Sequence, residues 1–537
     1  VNTIHNELVL DDYALIPHHK ALQSPWDLSA IFNGRYWGDL RVQDTLYRPL
    51  TIWTLALNAG LNKTLGLEHP AGYHLINLFL HAGVSALFYH FILQLGLSKP
   101  TGLFAALLFA VHPIHTEAVA SIVNRSELLA ALFGLLFLIL HLRASNFGLS
   151  LCCLFLALFS KESALLWVPL IVWMDLVLAP QKRSWSRYGA YSLVLIAWFG
   201  CRNLAVAGIL QAIPPLDNPL AVAPLGHRLL TAFRIQFDYI ILQVFPIHLS
   251  SDYSWNQIPI IQTPVHSHVI GFFTITLVLL SVAWKTRHTH PHILFAIGGY
   301  AILFALTSNL ILPIGTIMGE RLAYNPSLFF CLLAGMGAQT ACQKWNPYAL
   351  YAIVFVLLLF SGRTLARNQV WSTPHRFYHA QIQSAPQSAR AHYAIARSVF
   401  HKTKDLGNAL IHYRRAVEIL PNFPDAWNSL GLAYKDKGDL PSAIQAYQQA
   451  IAFHNTHREA YYNLGLAYQQ QGSLEQARQA YEKALQFNPD HPPTYNNLAT
   501  LYIHFGNPDK AILLLQKALR LNPDYDVARH NLERLTK

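Results

Sequence analysis

From about Tyr73 to Gly362 the chain runs through a succession of segments dominated by Leu, Ile, Phe, Val and Ala, separated by short polar loops. The hydrocarbon layer of a bilayer is about 30 Å thick, and about 20 apolar residues cross it as a helix that satisfies its own backbone. Ten segments are candidate spans: 72–95, 101–118, 126–142, 148–160, 163–179, 188–204, 268–284, 292–312, 325–341 and 348–362. The stretch 229–249 is also apolar, but Arg234, Gln236 and Asp238 fall in its first half. It reads as an amphipathic or partly buried helix rather than a full crossing.

Composition marks where this regime ends. Of 537 residues, 53% are hydrophobic and only 12% are Asp, Glu, Lys or Arg, against roughly 25% charged in an ordinary soluble domain. From about Asn368 onward the chain becomes charged, rich in Gln and Ala, and punctuated by turns. Two domains of different solvent class follow: a multi-span membrane domain over 1–367 and, after a connecting segment at 368–389, a soluble tail over 390–537.

The formal charge of +11 would suggest nucleic acid in a soluble protein. Here the basic residues lie largely in short loops between apolar runs, which points to membrane orientation and to no nucleic-acid partner. With residues 1–70 placed outside, the inner loops hold Lys99, Arg143, Lys182, Arg183, Arg187, Lys285, Arg287 and Lys344. The outer segments are longer and carry most of the Asp and Glu: 1–70, 111–126, the junction at Lys161-Glu162, 205–267, 313–324 and everything after 362. The reverse orientation would translocate the 182–187 cluster. The tail is therefore expected on the same side as the long N-terminal segment. The five cysteines (Cys152, Cys153, Cys201, Cys331 and Cys342) lie in or beside apolar segments, and none has paired metal spacing. No apolar run precedes Asn2 to Arg48, so neither a signal peptide nor a first span is read there.

The tail has a fixed period. Trp427, Tyr461 and Tyr495 are 34 residues apart, as are Gly431 and Gly465, then Ala443, Ala477 and Ala511, and then Ala450, Ala484 and Ala518. Pro421, Pro489 and Pro523 mark repeat ends, with Asn455 where one proline is missing. This resembles the tetratricopeptide pattern, in which each unit is two antiparallel helices. Four units are expected, at 390–423, 424–457, 458–491 and 492–525, with a cap helix at 526–537. The first unit is degenerate, with Arg397 where glycine is expected. Such arrays bury their apolar faces between neighbours and leave a concave surface for a polypeptide; a spacer or an oligomerisation surface is the plainer use.

Charged residues at or near membrane depth are costly, and so are candidates for function. Asp11 and Asp12 follow Leu8-Val9-Leu10 and fit a helix cap, a metal-ligand pair or a general base; the local pattern alone favours the cap. Arg48, before Pro49 where the chain re-enters the membrane, suits a lipid phosphate through its bidentate fork, or an interface anchor. In His112-Pro113-Ile114-His115-Thr116-Glu117 the two His are three apart with a proline between. The zinc-protease helix needs a spacing of four, so these residues read as the lining of an aqueous cavity. Asn124-Arg125-Ser126-Glu127 follows directly. Lys161 and Glu162 read as a mutually neutralising pair near a span end. Asp217, Asp252, Glu320 and Arg321 all fall outside, Arg321 being a second phosphate candidate or the ion-pair partner of Glu320 or of a neighbour.

Taken in order, Asp11-Asp12, Tyr47-Arg48-Pro49-Leu50-Thr51, Gly72-Tyr73-His74-Leu75-Ile76-Asn77, His112 to Val119, Lys161-Glu162-Ser163, Asp217-Asn218-Pro219, Glu320 to Ser327 and the repeat tail resemble the transmembrane and tetratricopeptide-repeat-containing proteins. The resemblance covers nearly the whole chain. That family is similar to protein O-mannosyltransferases of the GT-C glycosyltransferase class. The implied fold is all-α: a polytopic GT-C-like helical domain followed by a tetratricopeptide α-solenoid. The implied activity moves a sugar, mannose or another hexose, from a polyprenyl-phosphate carrier to Ser or Thr of a protein.

The resemblance also implies roles. Asp11 and Asp12 match the acidic pair of the first outer loop and would be catalytic. Arg48, His112, His115, Glu117, Arg125, Lys161, Glu162, Asp252, Glu320, Arg321 and Tyr324 would bind substrate. The only cofactor expected is the lipid-linked sugar donor, with a divalent metal as an option. GT-C proteins carry a span before the acidic loop. Such a span is missing before residue 1 and would add one to the ten. Asn325 departs from the apolar residue expected before Pro326. The partners expected are membrane lipid, the carrier, and a protein acceptor held by the repeats. The membrane would be a bacterial inner membrane or that of the endoplasmic reticulum, with the repeats periplasmic or lumenal. The competing expectation is a non-enzymatic membrane scaffold whose repeats are its whole function.

Overall fold

The computed structural model describes residues 2–38, 45–67, 70–143, 146–178, 184–206, 213–255, 257–345, 347–402 and 405–536, and no strand occurs among them. The Lys182-Arg183 part of the inner basic cluster lies outside the described residues. The chain divides into two compact units, Val1–Ala385 and Pro386–Lys537.

The first unit begins with α1 (Asp11–His18), α2 (Leu28–Phe32) and α3 (Pro49–Leu65). Its apolar runs fold into α4 (Ala71–Gln94), α5 (Lys99–Val111), the short α6 (Thr116–Ala120), α7 (Arg125–Arg143), α8 (Phe147–Ser160), α9 (Trp167–Leu178) and α10 (Trp185–Ala205). After α11 (Leu225–Val244) come α12 (Ser267–Thr286), α13 (Pro291–Phe304), α14 (Ser327–Trp345), α15 (Tyr348–Val370) and α16 (Pro374–Ser384).

Four of these helices have both the length and the apolarity to cross a membrane: α4, α7, α12 and α15. A fifth crossing is formed only if α5 and the turns Pro113–Ala120 count as one span, and that pair is bent by 48°. Pro113 causes the break: it has no N–H to continue α5, and the His112 imidazole accepts from the Ile114 N–H at 3.2 Å. The expected span at 163–179 is split into a 3-10 turn, Glu162–Leu166, and the 12-residue α9. Those at 148–160 and 292–312 fold as the 14-residue helices α8 and α13. α10 and α14 are long enough but less apolar than the four.

Burial separates the centre of the unit from its rim. In α7, 72% of the most apolar window is buried, against 11% in α12 and 6% in α15. α7 packs on α4 and α8, and it approaches the start of α9 closely because Gly134 has no side chain: a Cβ there would collide with the Trp167 ring. On α12 and α15, Leu277, Phe355, Leu358 and Leu359 are each more than half exposed. At about 25 cal/mol per Å² of apolar surface, such faces are stable against lipid and not against water. The first unit is a polytopic helical membrane domain.

The second unit is a row of helical hairpins. α17 (Ala389–Lys402) pairs with α18 (Leu406–Ile419), α19 (Pro424–Asp436) with α20 (Leu440–Phe453), α21 (Arg458–Gln471) with α22 (Leu474–Phe487), and α23 (Pro492–His504) with α24 (Pro508–Leu521); α25 (Asp526–Thr536) covers the last pair. Gly438, Gly472 and Gly506, again 34 apart, turn the chain between the helices of a hairpin at φ of 88°, 85° and 68°, a region that favours glycine. Gly431 and Gly465 let the buried Tyr447 and Tyr481 rings lie against the first helix, where a Cβ would come within 2.5 Å. Side-chain amides tie neighbouring hairpins: Asn463 donates to Asn428 at 2.9 Å and Asn531 to Asn496 at 2.8 Å.

Candidate functional site

Three of the ion pairs in the membrane unit lie within reach of one another's charge. Arg48 precedes Pro49, the first residue of α3, and its backbone, at φ −136° and ψ 56°, lies outside the helical region, which a following proline disfavours. Its Nε donates to Glu162 Oε2 at 3.0 Å, and the Tyr47 N–H reaches the same carboxylate at 3.1 Å. The guanidinium lies over the Tyr36 ring, 5.0 Å from its centroid.

The expected Lys161–Glu162 pair does not form. Lys161 is extended, at φ −161°, between α8 and the 3-10 turn, so the two neighbours point to opposite sides. Glu162 turns to Arg48, and the Lys161 ammonium meets Glu127 near the start of α7. The other Glu127 oxygen accepts from the Asn325 side chain at 3.2 Å.

Glu320 and Arg321 are not partners either. The Arg321 N–H donates to Glu117 Oε2 at 2.9 Å, and its guanidinium donates to Glu117 Oε1. Glu320 turns the other way, into the protein. It accepts from the Ser250 N–H and, at 3.2 Å, from the Tyr253 hydroxyl, with Arg367 3.8 Å away. Burial pushes the Glu320 carboxyl up to about 8.

These pairs form one neighbourhood. Lys161 feels the charges of Arg48 and Arg321, and Arg321 feels those of Asp11 and Glu127. The Arg321 side chain is 32% exposed, against 15% for Arg48 and 9% for Lys161, so Arg321 is the cation best placed to meet a ligand. A narrow cleft opens beside them, lined by Glu127, Lys161, Ser163, Trp167, Thr307 and Asn325.

The acidic pair is divided by burial. Asp12, in the first turn of α1, is fully buried. It accepts from the Ile122 N–H at 2.9 Å, the Val123 N–H at 2.8 Å and the Ser121 hydroxyl at 3.2 Å, and burial pushes its carboxyl up to about 7. Asp12 thereby fastens the N-terminal segment to the turn before α7. Asp11 is only partly buried and stands within the field of Arg321.

The remaining candidates are structural in their contacts. Arg125 is fully buried and donates to Asn77, Asn58 and the carbonyls of Thr54 and Tyr73. His112 contacts the Gln243 carbonyl at 2.9 Å; His115 contacts the Phe109 carbonyl at 2.8 Å and the Ser327 hydroxyl at 2.7 Å. Both are buried, so the aqueous lining expected of them is not formed. Tyr324 meets His81 at 2.7 Å, and Asp252 accepts from the Ser254 N–H in a local turn. Among the described residues no three His, Cys, Asp or Glu side chains converge as a metal site would require. Glu127 and Asn325 join the pairs to the cleft; the sequence marked Glu127 only as one of the polar residues after His115, and Asn325 only as a departure, with a substrate role for neither. The signal available for Glu127 was a carboxylate beginning an apolar run at 127, and for Asn325 a polar residue where an apolar one was expected.

Residues 456–524 match a tetratricopeptide-repeat profile, and 398–438 and 431–472 match a second profile of such repeats. The chain is 26% identical over 483 residues to the human protein O-mannosyl-transferase TMTC3, covering 81% of this chain and 52% of that protein. It is 29% identical over 435 residues to the protein O-mannosyl-transferase F38B6.6 of Caenorhabditis elegans, covering 79% and 61%. The chain thus spans between about half and three fifths of the length of these curated relatives. Among solved structures, a crystal structure of MamA aligns with 28% of this chain and 87% of its own at 25% identity, with a TM-score of 0.27.

Proposed function

The chain belongs to the transmembrane and tetratricopeptide-repeat-containing (TMTC) family, and from that premise we propose that it is a GT-C-type membrane glycosyltransferase. It moves mannose or another hexose from a polyprenyl-phosphate carrier to Ser or Thr of a protein that the repeats hold. The reading rests on Arg48, Lys161 and Arg321 lying within reach of one another's charge, with Asp11 in the field of Arg321. In the transfer, the Asp11 carboxylate takes the proton of the acceptor hydroxyl, and that oxygen attacks the anomeric carbon of the sugar. The bond from that carbon to the phosphate oxygen breaks, and its electron pair leaves with the phosphate. The carrier phosphate goes from a singly charged diester to a doubly charged monoester, so cations beside it favour the transition state over the ground state. General-base assistance contributes about 10²–10⁴-fold. Asp12 acts through position, by holding the segment that carries Asp11.

The loop charges favour an orientation with the N-terminal segment and the repeats on one side, periplasmic in a bacterial inner membrane or lumenal in the endoplasmic reticulum. The test uses the full chain in liposomes with a polyprenyl-phosphate mannose and a Ser/Thr-rich polypeptide. Glycosylated product is expected, and loss of it in Arg321→Ala and Asp11→Asn. No transfer from any polyprenyl-phosphate hexose would reject the reading and leave a membrane scaffold.

A further inference from the structure

The cleft beside Lys161 has a chemistry that the phosphate-binding cations do not explain. Its lining sets a carboxylate (Glu127), an amide (Asn325), two hydroxyls (Ser163 and Thr307) and a buried indole (Trp167) among the apolar side chains of Leu303, Leu322 and Pro326. A carboxylate, an amide and hydroxyls beside an indole offer acceptors and donors together, which suits carbohydrate hydroxyls that both give and accept hydrogen bonds.

Within this set the bonding is already ordered. Glu127 gives one oxygen to Lys161 and the other to the Asn325 amide, which donates at 3.2 Å. That donation fixes the amide's orientation: its nitrogen must face the carboxylate, so its oxygen faces away. Asn325 is 8% exposed, and its Oδ1 is buried with no hydrogen bond among the described residues. A buried acceptor without a donor is costly, and the cost disappears when a donor arrives. The open space in the cleft is about that of one water molecule, enough for a single hydroxyl and too small for a sugar ring.

We infer that Asn325 is a specificity-determining residue of the donor site, its Oδ1 accepting from one hydroxyl of the carrier-linked hexose, with Glu127 and Lys161 holding the amide in place. This deepens the glycosyltransferase reading and rests on it. Sugars that lack a hydroxyl at that position, or hold it at the other epimeric setting, leave the oxygen unpaired and are selected against.

The experiment measures binding of two probes to the purified full chain in detergent: a polyprenyl-phosphate hexose and the same polyprenyl phosphate without sugar. The wild-type chain is expected to prefer the sugar form by about tenfold, the scale of one hydrogen bond gained together with one orphaned acceptor relieved. Asn325→Leu, similar in volume, is expected to bring that ratio to about one. Monodeoxy hexose carriers supply a second measurement that needs no variant: on the wild-type chain, one deoxy position alone should reproduce the loss. A preference that survives in Asn325→Leu, equal binding of both probes by the wild type, or an equal effect of every deoxy position would overturn the inference while the carrier-binding reading stands. Failure to bind either probe would overturn both.

Discussion

Glu117 holds Arg321 twice, accepting from its backbone N–H at 2.9 Å with one carboxylate oxygen and from its guanidinium with the other. The two contacts fix both the path of the 320–323 turn and the direction of the cation it carries. Lysine in place of Arg321 keeps the charge but loses the planar fork, so Arg321→Lys is expected to lower kcat/KM for sugar transfer by about 10–100-fold. Steady-state kinetics with the polyprenyl-phosphate sugar as varied substrate checks this, and rates within twofold of wild type would show that Arg321 does not touch the carrier.

Lys161 and Glu127 are both almost fully buried, and each neutralises the other. Removing one charge strands its partner, at a cost of about 3–5 kcal/mol, whereas replacing both by apolar residues is far milder. Lys161→Met and Glu127→Leu are each expected to lower the midpoint of thermal unfolding more than the double variant does. A double variant as destabilised as the sum of the singles would contradict the pairing.

Asp12 should make the docking of the N-terminal segment depend on pH. Its carboxyl rises from an ordinary 3.8 to about 7 in the fold because it is buried. Between those values the folded chain keeps a proton that the unfolded chain has released, so this contribution to stability is complete at low pH and is lost as pH rises through about 7. Hydrogen exchange of the Ile122 and Val123 amides, corrected for the intrinsic rate, is expected to be faster at pH 8 than at pH 5.5 in the wild-type chain. Asp12→Asn should remove that pH dependence and cost about 1–3 kcal/mol, because its amide group cannot accept from both N–H donors.

In the repeats, a methyl group at Gly431 or Gly465 would lie 2.5 Å from the Tyr447 or Tyr481 ring. Both rings are fully buried and have little room to retreat. Gly431→Ala and Gly465→Ala are each expected to destabilise the array by about 1–3 kcal/mol through overpacking, read by urea unfolding of the far-ultraviolet circular dichroism signal. A change below 0.5 kcal/mol, roughly that of an ordinary surface substitution, would mean that the hairpins slide to make room.

What could be read from the sequence follows the range of the interaction. The hairpins were legible because their signal recurs every 34 residues: the same aromatic, small residue and proline return in register from Trp427 to Pro523. The longest apolar helices were legible because hydropathy is a sum over neighbours. The ion pairs were not, because their partners are remote. Arg48 reaches Glu162 across 114 residues, Arg321 reaches Glu117 across 204, and Lys161 passes over the adjacent Glu162 for Glu127. A pairing read from adjacency assumes that both side chains face one way, and the extended backbone at Lys161 defeats that assumption. Asp12 was hidden similarly: its three donors come from Ser121 to Val123, over a hundred residues away.

The break after α5 sets a depth. Its 13 residues advance about 20 Å at 1.5 Å each, which falls short of a hydrocarbon layer of about 30 Å. The chain turns aside at Pro113 by 48°, and Glu117 lies on the bent segment. Had the helix run straight, six more residues would have carried that carboxylate about 9 Å further along the same axis. The break instead turns Glu117 aside to the 320–323 turn, where its two oxygens hold Arg321.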